Sequence, residues 1–181
     1  MYPFIRMTKG LLLSRKAPKM DLLDTHVSHH MCWPWDIDLW MELNNGRTLT
    51  LYDLGRLPAG DRAGMYGPMK DNKWGMTVAG SVIRYRRRVR MFEKFEMRTR
   101  MLGWDKRFFY MDQSSWKTDG ECSSHVVLRM ALTGKTGIVD PQNMMDLLKP
   151  GATSPDLPEW VQKWKEAEGM RPWPPVKTDA T

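Results

Sequence analysis

Asp36-Ile37-Asp38-Leu39-Trp40-Met41-Glu42-Leu43-Asn44-Asn45-Gly46-Arg47 joins a carboxylate-bearing loop to the start of a helix, and the reading of this 181-residue chain turns on it. Asn44 and Asn45 are good helix-capping residues, and beyond them Leu49, Tyr52, Leu54 and Leu57 fall mostly at helical spacing. Pro58 is expected to kink or end that helix, since it lacks an N–H and clashes with the preceding turn. Upstream, His26 to Trp35 is rich in β-formers and aromatics and reads as a strand that ends at Pro34.

Downstream of Trp74 the period changes to two. Met76, Val78, Gly80 and Val82 fall on one face of an expected strand, and Phe95, Met97, Thr99 and Met101 alternate with Glu96, Arg98 and Arg100. Gly103 to Lys106 and Thr118 to Glu121 separate such runs, and Asp119-Gly120 suits a tight turn with positive φ. The stretch from Trp74 to Thr136 therefore reads as an antiparallel meander of about four strands. One helix must then cover the apolar face of the sheet, because no other early element is available to do so. The expected class is α+β with a hotdog fold, one long central helix wrapped by an antiparallel sheet of about five strands.

The flanks read differently. Residues 1–20 form a basic amphipathic arm, with Phe4, Ile5, Leu11 and Leu12 near one face and Arg6, Lys9, Arg15 and Lys16 elsewhere. Docking of the arm on its own domain is favoured over weak contact with an anionic membrane. Residues 21–150 are the main domain. Residues 151–181 hold a helix capped by Asp156, with Trp160, Val161, Trp164 and Ala167 in one stripe, before a Pro-rich tail.

A net charge of +7 and a pI near 9.5 favour an anionic partner, which nucleic acid, an acidic membrane or a phosphate-bearing ligand would each satisfy. Two cysteines, Cys32 and Cys122, without paired spacing, and an N-terminus without a secretory signal point to a reducing, cytoplasmic setting. No G-x-S-x-G elbow, Walker loop or dinucleotide glycine loop is present, so serine-hydrolase and nucleotide chemistry lack support. His26, His29 and His30 have no ligand partners at recognised spacing, and no metal is expected.

The quoted stretch resembles the acyl-CoA thioesterases of the 4-hydroxybenzoyl-CoA thioesterase type, and within them a branch that includes thioesterase superfamily member six. In that family an aspartate lies six residues before the first of two asparagines, as Asp38 does before Asn44. The segment Val82 to Arg87 is similar to the family's strand near the mouth of the coenzyme A site, and the resemblance covers roughly residues 25 to 140. It departs from the family at Met41-Glu42, where relatives carry Gly-His, and at Gly46, where they carry Ala.

The resemblance implies hydrolysis of an acyl-CoA thioester, with Asp38 as nucleophile or general base and the Asn45 amide polarising the carbonyl. Physically, a carboxylate must reach the carbonyl carbon and a fixed donor must meet the oxygen where charge develops. The free amides at a helix N-terminus provide such donors. Asp36 is the structural alternative to Asp38, and Glu42 is expected to fix the loop rather than act as a second base. Asn44, Gly46, Arg47, Tyr52, Asp53, Arg86 and Arg87 complete the expected substrate site, the arginines facing the phosphates of coenzyme A. Asp53 has an equal claim as a partner of Arg56 on the helix surface. No cofactor is implied, and relatives suggest a homodimer or homotetramer. The rivals are a binding protein that holds acyl groups without turnover, and a basic protein working on RNA or a membrane surface. A hotdog dehydratase would need a histidine beside the central helix, and none lies between His30 and His125.

Overall fold

The helix that begins after Asn44 forms as α2, Asn45–Arg62, in a computed structural model that describes residues 2–177. The Asn44 side chain caps it by accepting the Arg47 N–H at 3.0 Å. Leu51, Tyr52 and Leu54 are buried, and the helix comes so close to the sheet that a Cβ on Gly55 would lie 2.6 Å from the Met97 sulfur. Pro58, expected to kink or end the helix, does not end it, and the helix runs one further turn to Arg62. A preceding helix, α1 (Phe4–Lys16), packs across this stretch, and a Cβ on Gly10 would stand 3.3 Å from the Pro58 ring. The proline is buried by that crossing, so packing offsets the lost hydrogen bond.

α1 buries Met7 and Ser14, not the apolar residues expected to face inward. Phe4, Ile5 and Leu12 are exposed, and Leu11 is half-buried. The contact is narrow because Gly10 and Ser14 let the two helices approach, and Ser14 donates to Asp61 of α2 at 2.6 Å.

The remaining strands are β1 (His26–Met31), β2 (Gly75–Tyr85), β3 (Lys94–Trp104), β4 (Phe109–Lys117), β5 (Cys122–Gly134) and β6 (Gly137–Val139). They form one antiparallel sheet in the order β1-β3-β4-β5-β2, with β6 paired to β5. The main path has five strands, and the short β6 makes a sixth. Only β3, β4 and β5 form a meander, and β2 lies beyond β5 at the edge. β1 stops at Met31 instead of reaching Trp35, because Pro34 opens a short 3-10 turn over Pro34–Asp36.

β3 alternates as read, with Phe95, Met97, Thr99 and Met101 buried against α2. β2 does not. A register shift between Val78 and Gly80 sends Met76 and Val78 to the α2 side, opposite Leu132 and Met130, while Val82 lies opposite Val127 on the other face. An extra residue in a strand reverses every side chain beyond it, and periodicity alone does not reveal one.

That other face is partly covered by α5 (Glu159–Met170), whose Val161 is buried against Tyr110 and Val127. Asp156 does not cap this helix, which starts after Pro158. The sequence reading missed α3 (Tyr66–Asp71) and α4 (Pro141–Leu148), the latter capped by Asp140 accepting the Gln142 N–H at 2.9 Å. Residue 1 of the arm and residues 178–181 of the tail lie outside the described residues.

Candidate active site

The loop from Trp33 to Asn44 is folded by its two aspartates in opposite ways. Asp36 is fully buried and receives Arg6 at 2.8 and 3.2 Å, the Arg47 Nε at 2.6 Å and the Trp33 amide at 3.0 Å. Two guanidiniums and an amide replace the water that a buried carboxylate would lose. Burial lowers the pKa of Arg6, although Asp36 opposes this. Asp36 is therefore the clamp that joins α1, the loop and the first turn of α2.

Asp38 sits half-buried in a reverse turn. Its N–H donates to the Glu42 carbonyl at 2.9 Å, its carbonyl accepts from Met41 at 3.1 Å, and its Oδ1 accepts the Trp40 amide at 2.9 Å. Isolated bridges pair Ile37 with Leu43 and Glu42 with Arg90, which places this turn beside the segment that follows β2.

A cavity of about 210 Å³ opens where that segment meets the start of α2, lined by Glu42, Asn45, Thr48, Tyr85, Ser123 and Ser124 with Arg86, Arg87 and Arg88 at its rim. The N–H groups of Asn45 and Gly46 donate to no partner among the described residues, as expected for the first turn of a helix whose cap side chain takes only the Arg47 N–H. Tyr85 donates to the Asn45 carbonyl at 2.9 Å, fixing the peptide that carries the Gly46 N–H, and burial raises the pKa of its phenol. Tyr52 is wholly buried beneath, bonded to the Ser124 carbonyl at 3.0 Å and hydroxyl at 2.9 Å, with its own pKa pushed up by burial. A fixed amide pair, a phenol and a cationic rim can hold an oxyanion and a phosphate.

Of the expected site residues, the structure brings Asn45, Arg86 and Arg87 together at this cavity. Asp38 does not line it, because the turn holds Asp38 one hydrogen bond away, on the far side of Glu42. Asn44 is used as the helix cap, and Arg47 is turned onto Asp36, so neither side chain faces the cavity. Gly46 offers only its amide. Tyr52 forms the floor at second remove, and Asp53 is tied to Arg56 and to Tyr2 at 3.0 Å. Arg56, half-buried and lowered in pKa by desolvation, also donates to Gln113 at 2.9 Å. The polar chain from Tyr2 to Gln113 thus belongs to the interior, not the site. Glu42 pairs with Arg88 at 2.7 Å and lines the cavity where relatives were expected to place histidine.

Sequence reading placed Tyr85 in the Val82 to Arg87 segment near the expected site mouth without giving it a role, and missed Thr48, Ser123 and Ser124. Thr48 lay within the helical pattern, one turn after the cap. The serines arrive only through strand pairing, which sets Ser124 opposite Tyr85, and no local signal announces that. A second, larger groove of about 620 Å³ continues from the same arginines to Arg90, Phe92 and Lys117.

The thioesterase-like superfamily model matches residues 32–165. The protein is 34% identical to Protein THEM6 of Xenopus laevis over 163 residues, which covers 89% of this chain and 77% of that protein. Among solved structures, YbaW, a probable thioesterase from Escherichia coli, superposes with a TM-score of 0.64 at 12% identity, covering 69% of this chain and 96% of that one. SAV2348 from Staphylococcus aureus, solved in complex with CoA, gives 0.59 at 10% identity, covering 80% and 96%. These likenesses identify the hotdog arrangement of sheet and helix.

Proposed function

Because the chain belongs to the thioesterase-like superfamily, we propose that it hydrolyses an acyl-CoA thioester to the free acid and coenzyme A, at the cavity where α2 begins. The observation that carries this reading is the pair of unpartnered amides, Asn45 and Gly46, beneath a rim of three arginines. In this account the Asn45 amide receives the carbonyl oxygen as charge develops on it, with no reorganisation needed. Asp38 attacks the carbonyl or activates water from the adjoining turn, its Oδ2 having no partner among the described residues. Arg86 and Arg87 meet the phosphates of coenzyme A, consistent with the CoA held by SAV2348.

We further propose a homodimer or homotetramer. The outer edge of β2 has no neighbour among the described strands, so a second copy can extend the sheet there. The sheet edge and the cavity share Tyr85, so a partner at that edge stands beside the site.

A second reading, binding without turnover, is favoured by one observation: Asp38 does not line the cavity. A panel of short, long and aromatic acyl-CoAs with detection of the released thiol separates the two. Wild type is expected to release thiol, and Asp38→Asn to lose about 100- to 10,000-fold in kcat with its thermal midpoint unchanged. Binding of acyl-CoA with no thiol release identifies the second reading, and turnover unaffected by the substitution removes Asp38 from the mechanism.

A further inference from the structure

Large apolar side chains are gathered at the tips of two turns beside the candidate site, where a soluble surface would carry polar residues. Leu39 and Trp40 are 93% and 74% exposed, and Trp35, Met41 and Phe92 are exposed as well. Met41 and Phe92 hold φ angles of 59° and 63°, a left-handed conformation that favours glycine or asparagine and strains a side chain of this kind. Neither turn uses the residue that would relieve the strain. The tips belong together: Glu42 pairs with Arg90, Phe92 donates to the Cys32 carbonyl at 2.7 Å, and the Trp33 ring stacks on Trp35 at 5.3 Å and meets Phe92 edge-on at 6.3 Å.

Cations border this patch. Arg86, Arg88 and Arg90 are exposed, and the larger groove that they line with Phe92 opens at the same turn. A second copy docked on the patch about a two-fold axis would set these arginines against themselves. An anionic bilayer answers both features, since tryptophan settles at the headgroup level and each arginine gains from the surface potential. α1 adds the same chemistry. Its outward side presents Phe4, Ile5, Leu12 and Leu13 among Lys9, Arg15 and Lys16, and Arg6 ties it to the loop at Asp36.

We propose that the Leu39–Met41 and Phe92 turn tips dock on an anionic lipid surface, with the mouth of the arginine-lined groove opening at that surface. The sequence expectation put any lipid contact on the arm; the structure makes the turn tips its centre. The inference stands apart from hydrolysis, because docking is measured without substrate.

The test is co-sedimentation of the full chain with vesicles of phosphatidylcholine, or of phosphatidylcholine mixed equally with phosphatidylserine. Wild type is expected to sediment with the anionic vesicles only, and less as salt is raised. Leu39→Ser with Trp40→Ser should weaken binding by about tenfold or more, and Arg90→Gln by about fivefold. Brominated lipid should quench tryptophan fluorescence in wild type and less in Trp40→Phe, a variant that keeps the aromatic ring and the fold. Absence of wild-type binding, or binding and quenching equal in all variants, overturns the proposal. So does a tip variant that changes only the size of the oligomer, which would make the patch a contact between copies.

Discussion

Asp36 and Asp38 stand two residues apart in one loop and have opposite environments. The first is sealed by two arginines and an amide, whereas the second sits half-buried in a turn with one oxygen bound only to the neighbouring amide of Trp40. The difference follows from backbone shape. A 3-10 turn at Pro34 points Asp36 inward at α1 and α2, and the extended Ile37 then reverses direction into the turn that carries Asp38. Identical side chains are thus split between a sealed clamp and a half-buried turn.

The largest effect that would sharpen this contrast is on stability. Asp36→Asn removes the buried anion that the half-buried Arg6 and Arg47 share, and should cost about 3–5 kcal/mol in denaturant unfolding. Asp38→Asn should cost less than about 1 kcal/mol. Equal losses would mean that the two carboxylates share one structural duty.

A second contrast appears in acid. Burial lowers the pKa of His26 and His30 to about 4, with help from Arg62 at His26 and Arg6 at His30. The folded chain therefore keeps both rings neutral, while the unfolded chain takes up protons below the ordinary value near 6.5. Stability is whole above that value and falls as pH drops from about 6.5 towards 4. Denaturant midpoints across this window should decline, and the decline should flatten in His26→Gln with His30→Gln.

The smallest effect concerns the Asp38 turn. Met41→Gly removes the left-handed penalty and should raise stability by about 1 kcal/mol. A loss instead would mean that the Met41 side chain is packed in the working protein, for instance against a partner.

Much of the fold was legible in the residues, for reasons that these contrasts illustrate. Asn44 and the spacing from Leu49 to Leu57 located α2 because capping and periodicity are local. Phe95, Met97 and Met101 located β3 for the same reason. The extra residue in β2 and the crossing of β2 past β5 are set by pairing between distant segments, so they left no local trace. At the site, the bare amides of Asn45 and Gly46 followed from the helix start. Tyr85 and Ser124 did not, because only the β2–β5 register brings them under α2. Arg47 looked available as a cation and proved engaged with Asp36, eleven residues away.

The central claim is that the first-turn amides of α2 receive the thioester oxygen. Its most direct test is the backbone amide spectrum of the isotope-labelled protein, titrated with a non-hydrolysable acyl-CoA analogue that keeps the carbonyl. The Asn45 and Gly46 signals should move most, and the amides around Asp36 hardly at all. Saturable binding that leaves Asn45 and Gly46 unmoved would contradict it.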